Sequence, residues 1–290
     1  MCGIVGCIGH SDSTVDILMD GLRSLEYRGY DSAGIALGPS MTVHRKSGEL
    51  DALEDVVDST DPTGSYGIGH TRWSTHGPPT DHNAHPHTDE HDRVAVVHNG
   101  IIENYAELKA ELQDTGVTFS SDTDTEVIPH LIAQALAAGD DPETAFHNTV
   151  DRLAGSYAVA AVIDGTERVF AARQGSPLVV GVDEDCTYLA SDVPAFVEHT
   201  RDVVFLDDGH RVVATPDGYT VVDADRNPVD VDVETVSYTA EDTGKSGYDH
   251  YMLKEIHEQP TALRQCFSGR TDALDGTITL EEVDDIPQPN

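Results

Sequence analysis

The run SYAVAAVIDGTERVFAARQGSPLVVGVDEDCTYLAS, residues 156–191, decides the architecture. It divides into Tyr157–Ile163, Arg168–Ala172, Leu178–Val182 and Tyr188–Ser191, short stretches rich in Val, Ile and Tyr and bounded by Gly, Asp and Pro. Such stretches read as consecutive strands. Val203–Leu206, Arg211–Ala214 and Tyr219–Val222 continue the series, with Pro216-Asp217-Gly218 as a turn signal. Working back toward the N-terminus, Glu103–Gln113, Asp124–Ala138 and Glu143–Leu153 read as helices. Pro129 should kink the second of these or confine itself to an early turn. Further back lie strands at Val5–Gly9, Ser32–Leu37, Met41–Arg45, Tyr66–His70 and Val94–His98. A helix over Thr14–Glu26 and a short one over Leu50–Val57 fall among them. Many strands with grouped rather than alternating helices imply an α+β layered sandwich, not a Rossmann fold.

The charge balance restricts partners. Asp and Glu number 53 against 17 Lys and Arg, a formal net charge of -36. That surface repels phosphate backbones and anionic lipid, so nucleic-acid and membrane partners are not expected. The acidic residues alternate with apolar ones instead of forming a tail, which fits a folded protein of a salt-rich, halophile-type cytosol. No run approaches the roughly 20 apolar residues of a membrane helix. The start, MCGIVGCIGHSD, lacks the basic region of a signal peptide, and the four cysteines at 2, 7, 186 and 266 form no CxxC pair, so the cytoplasm is the expected compartment.

Cys2 follows the initiator Met, and a small residue there favours Met removal. Removal would put a thiol and a free α-amine on one residue, nucleophile and base together, as in an N-terminal-nucleophile hydrolase. Taken alone, Cys2 reads more readily as a small buried residue. Cys7 looks like packing, and Cys186 and Cys266 have no companion in the sequence. Residues 71–92, rich in His, Pro, Thr and Asn, form a connection long enough to suggest function.

MCGIVG, LEYRGYDSAG (25–34), HTRWSTHG (70–77), NAHPH (83–87), VVHNGIIEN (96–104) and SDTDTEV (121–127) occur in that order. With GSPLV (175–179) and HYMLKEIHEQP (250–260), this series resembles the glutaminase domain of the glucosamine-6-phosphate synthases, the glutamine–fructose-6-phosphate aminotransferases. The resemblance implies a four-layer αββα sandwich of the N-terminal-nucleophile type, and no cofactor. Residues 1–240 would form the glutaminase domain, and 241–290 a segment leading toward sugar-isomerase domains. Those domains are absent from this sequence, which reads as a fragment or isolated domain. Fructose 6-phosphate would be met only through them, in a parent enzyme expected to be a homo-oligomer.

The resemblance assigns roles that the chemistry supports. Cys2 would attack the carboxamide of glutamine and form a thioester. Asn99 and the Gly100 N–H would stabilise the oxyanion, although Asn-Gly is also a favoured hairpin turn. Arg72 would fork onto the substrate α-carboxylate, helped by Thr75 and His76. Asp124 would accept the α-ammonium, or instead cap the helix that follows, a task that Thr123 or Asp122 could equally perform. Arg28 would steady the amine and the nucleophile loop, and Trp73 would gate the path of ammonia. His82, His85, His87 and His91 fit no ligand spacing, so they read as solvated or loop-structuring and no metal is expected. The glutaminase part of a purine-pathway phosphoribosyl amidotransferase is the nearest rival, and a non-catalytic module that kept the fold is a second.

Overall fold

The computed structural model describes residues 2–9, 14–74 and 77–237, with short pieces between 252 and 278. Two compact units divide the chain, Met1–Ala240 and Glu241–Asn290. Within the second, Thr271–Asp272 pairs antiparallel with Thr277–Ile278.

The first unit is built on two antiparallel sheets. The eight-stranded sheet contains β1 (Gly3–Ile8), β2 (Ser32–Gly38), β3 (Thr42–Ser47), β4 (Tyr66–Arg72), β9 (Val179–Val182), β10 (Thr187–Ala190), β11 (Asp202–Phe205) and β14 (Glu234–Thr235). Its order is β14-β11-β9-β10-β1-β4-β2-β3, so β1 lies inside the sheet between β10 and β4. The six-stranded sheet contains β5 (His87–Thr88), β6 (Val94–Ile102), β7 (Gly155–Ile163), β8 (Val169–Gln174), β12 (Arg211–Thr215) and β13 (Gly218–Val222), in the order β13-β12-β8-β7-β6-β5.

Three apolar interfaces account for four layers. Helices α1 (Thr14–Ser24) and α2 (Leu50–Thr60) cover one face of the larger sheet, where Leu18, Leu22 and Leu53 meet Val5, Ile35 and Tyr188. The opposite face presents Ile4, Ile68 and Leu189 to Ala95, Val97, Ala158 and Ala160 of the smaller sheet. Behind that sheet, Val94, Val96, Val159 and Phe170 pack on α3 (Tyr105–Asp114), α4 (Val127–Ala138) and α5 (Pro142–Val150). Strand β6 displays the rule: Val94 and Val96 face the helices while Ala95 and Val97 face the other sheet. With period-two side chains and both faces covered, a central strand such as β6 or β7 must read as a nearly unbroken apolar run. Fully buried Leu22 is one such contact, and truncation to Ala would cost about 2–5 kcal/mol. The expected αββα sandwich is therefore the observed one.

Contacts distant in sequence decide between several local readings. Asn99-Gly100 is no hairpin turn; it lies within β6, paired with Ala158 and Tyr157 of β7. Helix α4 begins at Val127, with no side-chain cap at Glu126. Asp124 does not cap it, because its carboxylate accepts from the Ile102 N–H at 2.8 Å. Pro129 falls in the first turn of α4, where its missing N–H costs nothing. Cys186 does have a companion: β1–β10 pairing brings it into the same apolar cluster as Cys7, and Cys186 Sγ donates to the Ile8 carbonyl.

Candidate active site

Cys2 stands just before β1, beside the end of β4 and Asn99 of β6, and its carbonyl is held by two donors. Arg28 Nε lies 3.0 Å away and Asn99 Nδ2 2.9 Å away. The thiol sulfur accepts from the Trp73 N–H at 3.3 Å. Burial pushes the thiol pKa up, while the Trp73 N–H and the charges of Arg72 and Arg28 pull it back toward the thiolate.

Arg28 reaches this position from a 3-10 turn, Glu26–Arg28, that follows α1. It is buried, and Nη1 pairs with Asp192 Oδ2 at 3.0 Å. The same oxygen accepts from Tyr27 Oη at 2.7 Å. Gly29 lets this segment lie on the next: a Cβ there would stand 2.6 Å from the Arg72 carbonyl carbon and 2.7 Å from Trp73 N. Asp31 then fastens the loop after β4 by accepting from the Ser74 N–H at 2.7 Å.

Asn99 and Gly100 arrive from β6. Gly100 has φ +118, and a Cβ would come within 1.9 Å of the Ser156 carbonyl oxygen, so only glycine fits. Arg72, at the end of β4, is buried, and burial lowers its pKa, yet the carboxylates of Asp31 and Asp124 and the Cys2 thiol support its charge. Asp124 is 5% exposed, with one carboxylate oxygen taken by Ile102. Trp73 is 44% exposed and stands edge-on to Tyr30, ring centroids 5.4 Å apart. Cys2, Arg72, Trp73, Gly100, Asp124 and Thr125 line a common cavity of about 20 Å³, room for a single water. Thr75 and His76 lie outside the described residues.

The histidine set divides. His82 and His91 are exposed, whereas His85 and His87 are buried beside His70 and His98. The rings of His70 and His85 are 4.1 Å apart and those of His85 and His87 4.7 Å. Thr125 Oγ1 lies 2.9 Å from both His85 Nε2 and His98 Nδ1, and Thr123 Oγ1 lies 3.0 Å from His87 Nε2. Burial pushes His70 and His87 down to about 3 and His85 well below its ordinary value, so the group is neutral. Among the described residues no cluster of His, Cys, Asp or Glu is arranged to hold a metal.

Sequence reasoning passed over His70, Asp31, Thr125 and Asp192. His70 carried a usable signal, since it precedes Arg72 by two residues on β4 and so shares its face. The others act through contacts across the fold that no local pattern records.

A nucleophilic thiol, an amide and a glycine N–H beside it, and a buried Arg opposite a buried Asp together suit hydrolysis of a zwitterionic amide. Comparison with known proteins gives the same class. Residues 70–198 match the model of a family described as "Glutamine amidotransferase domain". The chain is 53% identical over 97% of its length to a glutamine–fructose-6-phosphate aminotransferase of Halobacterium salinarum, and 50% identical over 98% to that of Symbiobacterium thermophilum. It spans 46% of the length of each, about half. Among solved structures, the glutamine phosphoribosylpyrophosphate amidotransferase of B. subtilis superposes with a TM-score of 0.67 at 27% identity, over 78% of this chain and 50% of that one. A class-II glutamine aminotransferase domain protein of Silicibacter pomeroyi, 15% identical with a TM-score of 0.53 over 77% of this chain and 99% of that one, shares the fold. Residues 70–198 carry the glutamine amidotransferase domain, and the chain has the fold of the N-terminal-nucleophile amidotransferases. Within that class it corresponds to the glutaminase domain of the glutamine–fructose-6-phosphate aminotransferases, not to the phosphoribosyl branch.

Proposed function

We propose that this chain hydrolyses glutamine to glutamate and ammonia through Cys2. The observation that carries the reading is the convergence of Cys2, Gly100, Arg72 and Asp124 on one cavity, with the Asn99 amide bonded to the Cys2 carbonyl. Arg72 holds the α-carboxylate and Asp124 the α-ammonium, with Thr75 and His76 contributing to the carboxylate side. With Met1 removed, the α-amine of Cys2 takes the thiol proton and the sulfur attacks the carboxamide carbon. The tetrahedral oxyanion accepts from Asn99 Nδ2, whose second N–H is not used by the Cys2 carbonyl, and from Gly100 N–H. Collapse breaks the C–N bond, the leaving nitrogen takes the proton from the amine, and ammonia departs. Water then cleaves the thioester and regenerates the thiol. Arg28 fixes the nucleophile through the Cys2 carbonyl, and Trp73 gates the ammonia path.

The ammonia would serve formation of glucosamine 6-phosphate from fructose 6-phosphate on further domains of a cytoplasmic homo-oligomer, reached from residues 241–290. The names of the relatives at about 50% identity support that role. The test is glutamate release in molar KCl by the wild-type chain and Cys2→Ala, after mass measurement of the N-terminus. Release that disappears in the variant supports the proposal. Absence of release from a processed, folded chain, alone and joined to its synthase domains, would refute it.

A further inference from the structure

We propose that His70 is the positioning residue for the oxyanion donor: its Nε2–H holds the oxygen of the Asn99 amide inward and so aims Nδ2 at Cys2. This rests on the glutaminase reading above and adds a residue to which that reading gives no role.

His70 is fully buried on β4. Its Nε2 lies 3.1 Å from the His98 carbonyl oxygen and 3.0 Å from Asn99 Oδ1. A carbonyl only accepts, so Nε2 must carry the proton, and this imidazole is the Nε2–H tautomer. That one hydrogen is shared between the two oxygens. Were the Asn99 amide turned over, its NH2 would face the Nε2–H, donor against donor, at a buried site. The amide therefore has one orientation, with Nδ2 2.9 Å from the Cys2 carbonyl.

The ring itself is fixed. His85 packs on it with centroids 4.1 Å apart, and His85 is tied to Thr125 Oγ1 at 2.9 Å. Burial keeps His70 neutral through the working pH range, so it neither adds a charge behind the oxyanion donor nor exchanges protons with the reaction. The arrangement supplies orientation to the group that must be ready before the oxyanion forms, and preorganised donors of this kind act on the transition state more than on bound substrate.

The experiment compares wild type with His70→Leu and His70→Gln in glutamine hydrolysis, in affinity for glutamate γ-aldehyde and for glutamate, and in alkylation of Cys2 by iodoacetamide. The aldehyde adds the thiol and places an oxyanion-like oxygen in the site, whereas glutamate does not. His70→Leu should lower kcat by about 10- to 100-fold with KM little changed. Aldehyde affinity should fall by a similar factor, while glutamate affinity and the alkylation rate stay constant. His70→Gln, whose amide nitrogen reaches the Nε2 position, should recover most of the loss. An unchanged kcat, or a loss confined to KM and glutamate affinity, overturns the proposal. If His70→Leu does not fold, His70→Gln against His70→Asn carries the test, since Asn is too short to reach; equal activities overturn it. Wild type without Cys2-dependent hydrolysis would overturn the glutaminase reading as well, whereas an active wild type with an indifferent His70→Leu overturns only this inference.

Discussion

Asn99 Nδ2 donates to the Cys2 carbonyl across 2.9 Å, although 97 residues separate the two in sequence. The bond joins the residue that precedes β1 in one sheet to a residue within β6 of the other. A side chain already hydrogen-bonded to the nucleophile's own backbone needs no reorganisation when charge develops beside it. Asn99→Ala is therefore expected to lower kcat by about 10²–10³-fold with little change in KM, measured as steady-state glutamate release. A rise in KM alone would assign Asn99 to ground-state binding.

Arg72 makes the opposite prediction. Its buried guanidinium faces Asp124 across the cavity, where the zwitterionic end of glutamine would lie. Arg72→Gln removes a charge-assisted contact of about 1.5–3 kcal/mol, so KM for glutamine should rise by about 10- to 100-fold. The check is a KM titration with glutamine beside a competitor lacking the α-carboxylate. That competitor should bind wild type and variant alike.

Acid sensitivity follows from the buried histidines. His70 and His87 have folded values of about 3, below the ordinary value near 6.5, and His85 is shifted the same way. For a depressed value, the stability contribution is complete above the unfolded pKa and is lost as pH falls through the interval to the folded one. Unfolding free energy should thus begin to fall below about pH 6.5, before carboxylates titrate, by about 1.4 kcal/mol per pH unit for each such histidine. Urea denaturation between pH 7 and 5 measures the slope, and His87→Gln should reduce it by one histidine's share. A flat profile over that interval would mean the imidazoles are not held neutral.

Salt acts through the net charge of -36. At low ionic strength that charge repels itself across a folded surface, and molar salt shortens the screening length to about 3 Å. The melting temperature should rise from 0.1 to 2 M KCl. A melting curve that does not move would remove salt from the account of this composition.

How much the sequence disclosed depends on how local each cause is. Strands buried on both faces announced themselves, because Val94–Val97 and Tyr157–Ile163 are apolar throughout. Their ends did not. The reading stopped β6 at His98, since Asn-Gly favours a turn, but pairing with Ala158 and Tyr157 carries the strand to Ile102. The helix expected from Asp124 starts three residues later because Ile102 takes the Asp124 carboxylate and Ser120 and Ser121 take that of Glu126. Spacing placed His85 and His87 in a loop with His82 and His91; only the fold buries two of them with His70 and His98. Cys7 and Cys186 met for the same reason, the pairing of β1 with β10, which sets Ile8 opposite Thr187. Cys2, Arg72, Gly100 and Asp124 line one cavity, and Asn99 bonds to the Cys2 carbonyl, a gathering of residues that no local spacing records.

The central claim is that Cys2 becomes covalently attached to the glutamyl group. Acid quenching of the chain within its first turnovers with glutamine, followed by peptide mapping, tests it directly. A glutamyl thioester on a peptide that begins at Cys2, absent from Cys2→Ala, is the predicted result. Glutamate release that persists in Cys2→Ala, with no adduct on the N-terminal peptide, would contradict the account.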